Sequence, residues 1–433
     1  MDDQGKIGPR FNDGLNMAGS YYGATATLPA LHAPLAEDLD VDLCVVGGGC
    51  TGLSTALHAA ERGLSVVVLE GGRVGFGASG RNGGQLIPGL RKGASELIEL
   101  YGATQAHALF QAGLDARETV LSLIRRFNID CDLKLNGHLL AAVKSDHARD
   151  FAAEIKALNT LGYFEAEALS PSETMSLVGS AYAGGLLDHQ GGHYHPLKYT
   201  LGLAAAAERA GARIFEASPV IALDRGKTLC ARTATAIVRA KRVMLAGDAY
   251  LAGIYPPVEK RYIPIGSYIA VTAPLRSPEA FIRQDLAVSD TRFVVNYFRL
   301  TKDGRLLFGG GESYFPRPPR DMAAFVRGPL TQTFPQLRNV KIDYVWGGQV
   351  SVTMSRLPHI GRDGDIYFAH GYSGMGALMS THAGKLIAEA MSGDEGTLDL
   401  FQKATPSAFP GGHLLRTPLQ ALGMLWFALR DRL

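Results

Sequence analysis

The sequence predicts an α/β fold, α+β overall, in which a domain built on parallel strands is split along the chain by a second domain on a largely antiparallel sheet. Three observations carry that prediction. In "VDLCVVGGGCTGLSTALHAAERGLSVVVLE" (residues 41–70) an apolar run meets a glycine cluster, an Ala-rich stretch and a second apolar run. A strand, Gly-rich turn and helix pattern returns in "DIYFAHGYSGMGALMSTHAGKLIAEAMSG" (residues 365–393). Between them, over residues 263–312, "YIPIGSYIAVTAPL" and "TRFVVNYFRLTKDGRLLFGGG" read as antiparallel hairpins, with a turn at Asp303–Gly304.

Length and composition bound what such a chain does. At 433 residues it is too long for one simple core. A net charge of +2 with no extended Lys/Arg cluster argues against a nucleic-acid partner. The start, "MDDQGKIGPRFNDGLN", lacks the basic and apolar regions of a secretory signal. No apolar segment approaches the ~18 residues of a spanning helix, so no stable membrane insertion is expected. The apolar end, "TPLQALGMLWFALRDRL", is expected to pack on the body, with membrane-surface contact second. Cys44, Cys50, Cys131 and Cys230 form no close pair, which leaves out zinc-ligand spacing and a dithiol motif and suits a reducing, cytoplasmic setting.

Taken in order, residues 1–40 are polar and irregular and are expected to wrap over the body, with Tyr21 and Tyr22 as their aromatics. Gly47, Gly49 and Gly52 then show G-x-G-x-x-G spacing directly after a strand, with Cys50 and Thr51 between the last two and a helix opening in "STALHAAERG". Glycines suit this turn because a side chain would keep the backbone from a pyrophosphate, and the helix N-terminus offers free N–H groups to the anion. Glu70 ends the second strand, where a carboxylate can accept from ribose hydroxyls. This is a Rossmann-like dinucleotide site. A second Gly-rich loop, "VGFGASGRNGGQ", brings Gly77, Ala78, Ser79, Gly80, Arg81, Asn82, Gly83, Gly84 and Gln85 beside it.

Residues 96–127 and 148–162 carry helical periodicity. "HPLKYTLGLAAAAERAGARIFEAS" reads as a Pro-started helix and a strand, running to "PVIAL" with Val220. "VMLAGDAY" places small Ala246 and Gly247 where a cofactor can approach. The late loop supplies Gly371, Tyr372, Ser373, Gly374, Met375 and Gly376 before another helix. NAD needs none of these extra elements, so together they favour FAD.

The chain resembles the glycine/D-amino-acid oxidase family of flavoproteins. "SYYGATAT", "CVVGGGCTGLSTAL", "VGFGASGRNGGQ", "GGHYHPLKYTLGLAAA", "YFRLTKDGRLLFGGG", "FPQLRNVKIDYVWGG", "SRLPHIGR" and "FPGGHLLRTP" carry the likeness in order along the chain. The resemblance implies FAD, held by residues 1–95, 195–252 and 345–433, and a substrate domain of residues 96–194 and 253–344. It implies oxidation of a C–N bond to an imine that hydrolyses, acting on a small-molecule amine. The branch it is similar to implies a gamma-glutamylated amine such as gamma-glutamylputrescine. Glycine, sarcosine or a D-amino acid is the alternative, and a flavin-binding protein without turnover or a nicotinamide-dependent dehydrogenase stands further off. Where some relatives attach FAD through His or Cys, Gly77–Gln85 and Trp346–Arg356 contain neither, so noncovalent FAD is expected. The register places Leu307 where sarcosine oxidases carry an oxygen-activating lysine, so the acceptor is dioxygen or another oxidant.

Amine oxidation by flavin asks for orientation more than for a nucleophile, so aromatic walls and charge clamps are the candidates. On a strand, Tyr297 and Arg299 share one face, opposite Asn296, Phe298 and Leu300. Arg299 is then expected to bind a substrate carboxylate, unless that face is merely exposed. Trp346 walls the flavin or fills core. Arg356 and Tyr372 are placed near the reacting centre by family position. His193 and His195 share a strand face but lack a third ligand, so no metal is expected, and a structural role outweighs a substrate contact. Arg81 and Asn82 hold their loop, touch FAD, or both.

Overall fold

The computed structural model describes residues 17, 19–251, 253–313 and 318–410. The apolar C-terminal stretch, most of "FPGGHLLRTP" and the polar start lie outside them.

Two eight-stranded sheets organise the chain. In the first, the strand Leu39–Val46 lies between Val66–Leu69 and Ile237–Leu245, parallel to both, and Ile366–His370 extends the parallel set beyond Ile237–Leu245. The run "LCVV" is continuously apolar because the sheet is covered on both faces. Leu43 and Val45 enter one core with the helices, whereas Cys44 and Val46 enter another on the opposite side. The helices Cys50–Ala60 and Gly376–Ala390 cover the first of these faces. They cross so closely that a methyl group at Gly384 would lie 2.4 Å from the Thr51 carbonyl oxygen.

The second sheet runs Ile342–Thr353, Tyr262–Thr272, Leu306–Ser313, Tyr297–Leu300, Ala287–Asp290, His138–Ala142, Gly184–Asp188, Ala166–Leu169. It is antiparallel except where Ala287–Asp290 meets His138–Ala142. Phe298, Leu300 and Phe308 pack on one face against Val326 and Leu330 of the helix Met322–Thr333. A two-stranded ribbon, Gln85–Leu86 with Gly192–His193, ties the second Gly-rich loop to the chain leading into the helix Pro196–Arg209.

Three elements differ from expectation. The strand expected to run to "PVIAL" ends at Phe215, and Ala222–Arg225 is a separate strand. The helix expected over 96–127 spans Ala94–Phe127 but is broken at Gly102, whose φ of 73° lies outside helical space. The strand expected from Thr291 begins only at Tyr297. Asp290 intervenes: its carboxylate accepts from the backbone N–H groups of Arg292 and Asn296 at 3.2 and 3.0 Å, and its own N–H donates to Asn296 O at 2.9 Å. That closed loop turns residues 291–296 out of the ladder.

Candidate active site

The glycine cluster forms a cradle for steric as well as conformational reasons. Gly47 has φ +114°, and a Cβ there would lie 2.7 Å from Ala246 O. A Cβ on Gly52 would lie 2.0 Å from Gly47 O, so Gly52 supports the turn from behind and does not line the cavity. The helix Cys50–Ala60 starts without a side-chain cap of its own. Cys50 N–H donates instead to Ser79 Oγ at 2.9 Å, which joins the first glycine turn to the second Gly-rich loop. Glu70 accepts from Gly48 N–H at 2.6 Å and Gly72 N–H at 2.7 Å. Burial pushes this carboxyl up, and those two donors act against the shift.

A cavity of about 340 Å³ opens from this cradle. Gly47, Gly49, Cys50, Thr51 and Glu70 line it, joined by Gly77, Ala78, Ser79, Arg81, Asn82, Gly83 and Gln85 from the second loop. Val220, Ala246 and Gly247 line it too, as do Tyr372, Ser373, Gly374, Met375 and Gly376. Gly80, Gly84 and Gly371 stand behind the wall. A Cβ at Gly80 would strike Gly75 O, and one at Gly84 would strike Tyr194 O, both at 2.2 Å. Gly371 N–H donates to Ser351 Oγ at 2.8 Å.

Arg81 and Asn82 line the cavity and also hold their loop. Arg81 donates through Nε to Phe76 O at 2.7 Å and through Nη1 to Gly347 O at 3.1 Å. The Asn82 amide donates to Ala78 O and Ser79 O and accepts from Gly84 N–H. Thr51 Oγ1 lies 2.8 Å from the Tyr372 hydroxyl, linking the first and last loops.

Two of the proposed catalytic side chains are elsewhere. Tyr297 and Arg299 do share a face, and both meet the second Gly-rich loop: a Cβ at Gly83 would lie 2.7 Å from the Tyr297 ring, and one at Gly84 3.1 Å from Arg299 Nη2. Tyr297 reaches the cavity; Arg299 is sealed beneath the loop. Its guanidinium donates to Gly83 O, Leu300 O, Tyr194 O and the Tyr22 hydroxyl, which leaves it no path to a substrate carboxylate. Trp346 is core as well, donating to Arg81 O at 2.9 Å and meeting Tyr22 edge-on. Leu307 packs in the same cluster and does not line the cavity.

His193 bonds Asp285, and His195 caps the helix Pro196–Arg209, with Nδ1 accepting from Lys198 N–H and Nε2 3.1 Å from Thr25 Oγ1. Neither lines the cavity. Among the described residues no three His, Cys, Asp or Glu side chains gather as metal ligands.

Sequence reasoning missed several wall residues. Asp248 lies one position beyond Gly247; its carboxylate accepts from the Ser351 hydroxyl and from Gly371 N–H. Ser267, Ser289 and Glu312 come from the second sheet, and Arg91 follows the second Gly-rich loop. Asp248, Arg356 and Ser373 carry φ of 45°, 59° and 53°, so three wall residues hold a left-handed backbone that side chains disfavour. Burial pushes the Tyr297 and Tyr372 phenols upward, so both remain protonated donors.

Bare glycine backbone leading into a helix N-terminus and a fixed carboxylate at the second strand's end fit a pyrophosphate and ribose, and the further wall leaves room for a second ring system. The comparisons with known proteins agree. The family described as DAO, FAD dependent oxidoreductase, matches residues 42–390. A gamma-glutamylputrescine oxidoreductase of Escherichia coli is 41% identical over 96% of this chain and 98% of its own length. A probable oxidoreductase of Haemophilus influenzae is 36% identical over 95% of this chain and 97% of its own. A crystal structure of glycine oxidase from Geobacillus kaustophilus shares the fold, with a TM-score of 0.69 at 22% identity over 86% of this chain and 96% of that one. With the family pattern spanning most of its length and a relative aligned almost end to end, the chain belongs to the DAO family and is an FAD-dependent oxidoreductase.

Proposed function

We propose that the protein oxidises the C–N bond of a gamma-glutamylated amine, gamma-glutamylputrescine first among them. The observation that carries this reading is the continuity of the cavity: its wall passes from the glycine cradle to Ser267, Ser289, Tyr297 and Glu312 on the antiparallel sheet. An amine resting on that sheet therefore shares one enclosure with the dinucleotide. The name of the Escherichia coli relative, aligned over nearly its whole length, supports the choice of substrate.

FAD, when bound, supplies a two-electron acceptor. The substrate loses a hydrogen with its electron pair from carbon and a proton from nitrogen, and the resulting imine adds water to give an aldehyde and ammonia. The protein's share is to hold the amine neutral and oriented in a partly dry site. Tyr297, 3.4 Å from Ser267 Oγ, offers a fixed hydroxyl. The Thr51–Tyr372 contact keeps the last loop against the cradle. In this reading FAD is noncovalent and rests on the first sheet and the substrate rests on the second; the strand Ile342–Thr353, mostly within the expected FAD domain, belongs to the second sheet, and the helix Ala94–Phe127, mostly within the expected substrate domain, packs into the core beside the first. A cytoplasmic setting, with dioxygen or another oxidant as acceptor, completes the proposal.

Anaerobic titration followed by visible absorbance tests it. Gamma-glutamylputrescine is expected to bleach the flavin band, whereas glycine, sarcosine and D-alanine leave it unchanged. Bleaching by the small amino acids alone would move the substrate to that class, and bleaching by no amine would remove turnover.

A further inference from the structure

Among the described residues, six charged side chains line the cavity: Glu70, Arg81, Arg91, Asp248, Glu312 and Arg356. Glu70, Arg81 and Asp248 are committed to backbone or hydroxyl partners described above. Arg91 and Arg356 differ from them. Among the described residues neither guanidinium donates a hydrogen bond to a protein acceptor. Both are half-buried, and the Arg356 guanidinium lies 5.0 Å above the Phe293 ring, itself part of the wall. Arg356 is held there by a backbone in left-handed space, a conformation that persists only where the surroundings enforce it.

The two guanidiniums are electrostatic neighbours. Burial, and then the charge of Arg356, pull Arg91 below the ordinary arginine range, while Glu312 acts the other way. Like charges sharing a partly dry cavity repel, and an anion between them relieves that cost. Paired guanidinium forks suit a carboxylate, and a carboxylate beside them suits an ammonium.

We propose that Arg91, Arg356 and Glu312 form a subsite for a zwitterionic α-amino acid head group, the guanidiniums holding its carboxylate and Glu312 accepting from its ammonium. The subsite deepens the proposed function and rests on that reading, since a gamma-glutamyl group carries this head at the end remote from the amine to be oxidised. It takes over the carboxylate-binding role that Arg299, sealed under its loop, does not perform.

Binding to the FAD-loaded enzyme, measured by calorimetry, tests it without requiring turnover. The probe is gamma-glutamylethylamide, which has the head group and lacks the terminal amine. R91Q and R356Q are each expected to weaken this probe by about tenfold or more, the usual worth of a charge-assisted hydrogen bond. Neither is expected to alter binding of N-ethylbutanamide, which has no head group. E312Q is expected to weaken gamma-glutamylethylamide while leaving N-ethylglutaramic acid, which lacks the ammonium, unaffected. R91K, which keeps the charge without the fork, should fall between wild type and R91Q, and retained flavin absorbance checks that each variant folds. Wild-type affinity in both R91Q and R356Q, equal weakening of the headless amide, or no binding of the probe to wild type would overturn the subsite. If the probe behaves as expected but gamma-glutamylputrescine leaves the flavin unbleached, the proposed reaction fails and the subsite stands. If gamma-glutamylputrescine bleaches the flavin and its KM is unchanged in the arginine variants, the subsite fails and the reaction stands.

Discussion

His138 is a fully buried imidazole, with Nε2 2.9 Å from the hydroxyl of Ser289, a residue of the cavity wall. Burial brings its pKa down from 6.5 to about 4, so the folded protein keeps the ring neutral where an unfolded chain would protonate it. Stability from this residue is therefore complete above the unfolded pKa and is lost as pH falls toward the folded one. The expected loss is roughly 3 kcal/mol for this ring alone. His195, His359 and His382 are lowered in the same direction by burial and steepen the same window. In H138Q, urea unfolding from about pH 7.5 to about pH 4.5 should show a shallower decline than wild type by about that share. Identical slopes would mean that His138 charges in the folded state. Single residues were also where the sequence was least legible. Period-two alternation correctly put Tyr297 and Arg299 on one face, but alternation is blind to what lies over that face. The loop closing above Arg299 comes from more than two hundred positions earlier in the chain. Arg91 and Glu312 carried no local signal, because only tertiary structure brings them to one cavity wall.

At the scale of elements, long and periodic segments were legible, as were the glycine turns that open Cys50–Ala60 and Gly376–Ala390. The helix break at Gly102 and the loop closed by Asp290 were not, since each depends on one backbone state or one carboxylate, which a periodicity averages away. The helix pair Cys50–Ala60 and Gly376–Ala390 matters most for the site, because both helices begin at the cavity wall. Their spacing is set by Gly384, where an added Cβ would also fall 2.8 Å from Ser54 Cβ. Gly384→Val should force the helices apart and destabilise the protein by about 1–3 kcal/mol, the range for overpacking. FAD affinity should fall with it, since both helix starts move. Thermal unfolding and flavin release by ultrafiltration read the two effects; a variant with lower stability but unchanged FAD affinity would show that the cradle tolerates the shift.

Across the whole molecule, the cavity takes its wall from both sheets, so a dinucleotide bound there joins them thermodynamically. Restoring FAD to the stripped protein at about a thousandfold its Kd should add about 4 kcal/mol. For a chain of this length that is a rise in melting temperature on the order of 5 °C. One transition is expected to carry the whole shift in scanning calorimetry. Two transitions of which only one responds would mean that the sheets melt independently. The fold class was legible at this scale because strand–glycine–helix patterns bracket a β-rich middle. The pairing behind it has a cost in time. Leu39–Val46 is made early, yet its neighbour Ile237–Leu245 lies far downstream. On the ribosome, at roughly 5–20 residues per second, the central strand of the first sheet waits on the order of 10–40 s with one edge unpaired. Slowing translation after Leu69 should lengthen that interval and increase aggregation of the nascent chain.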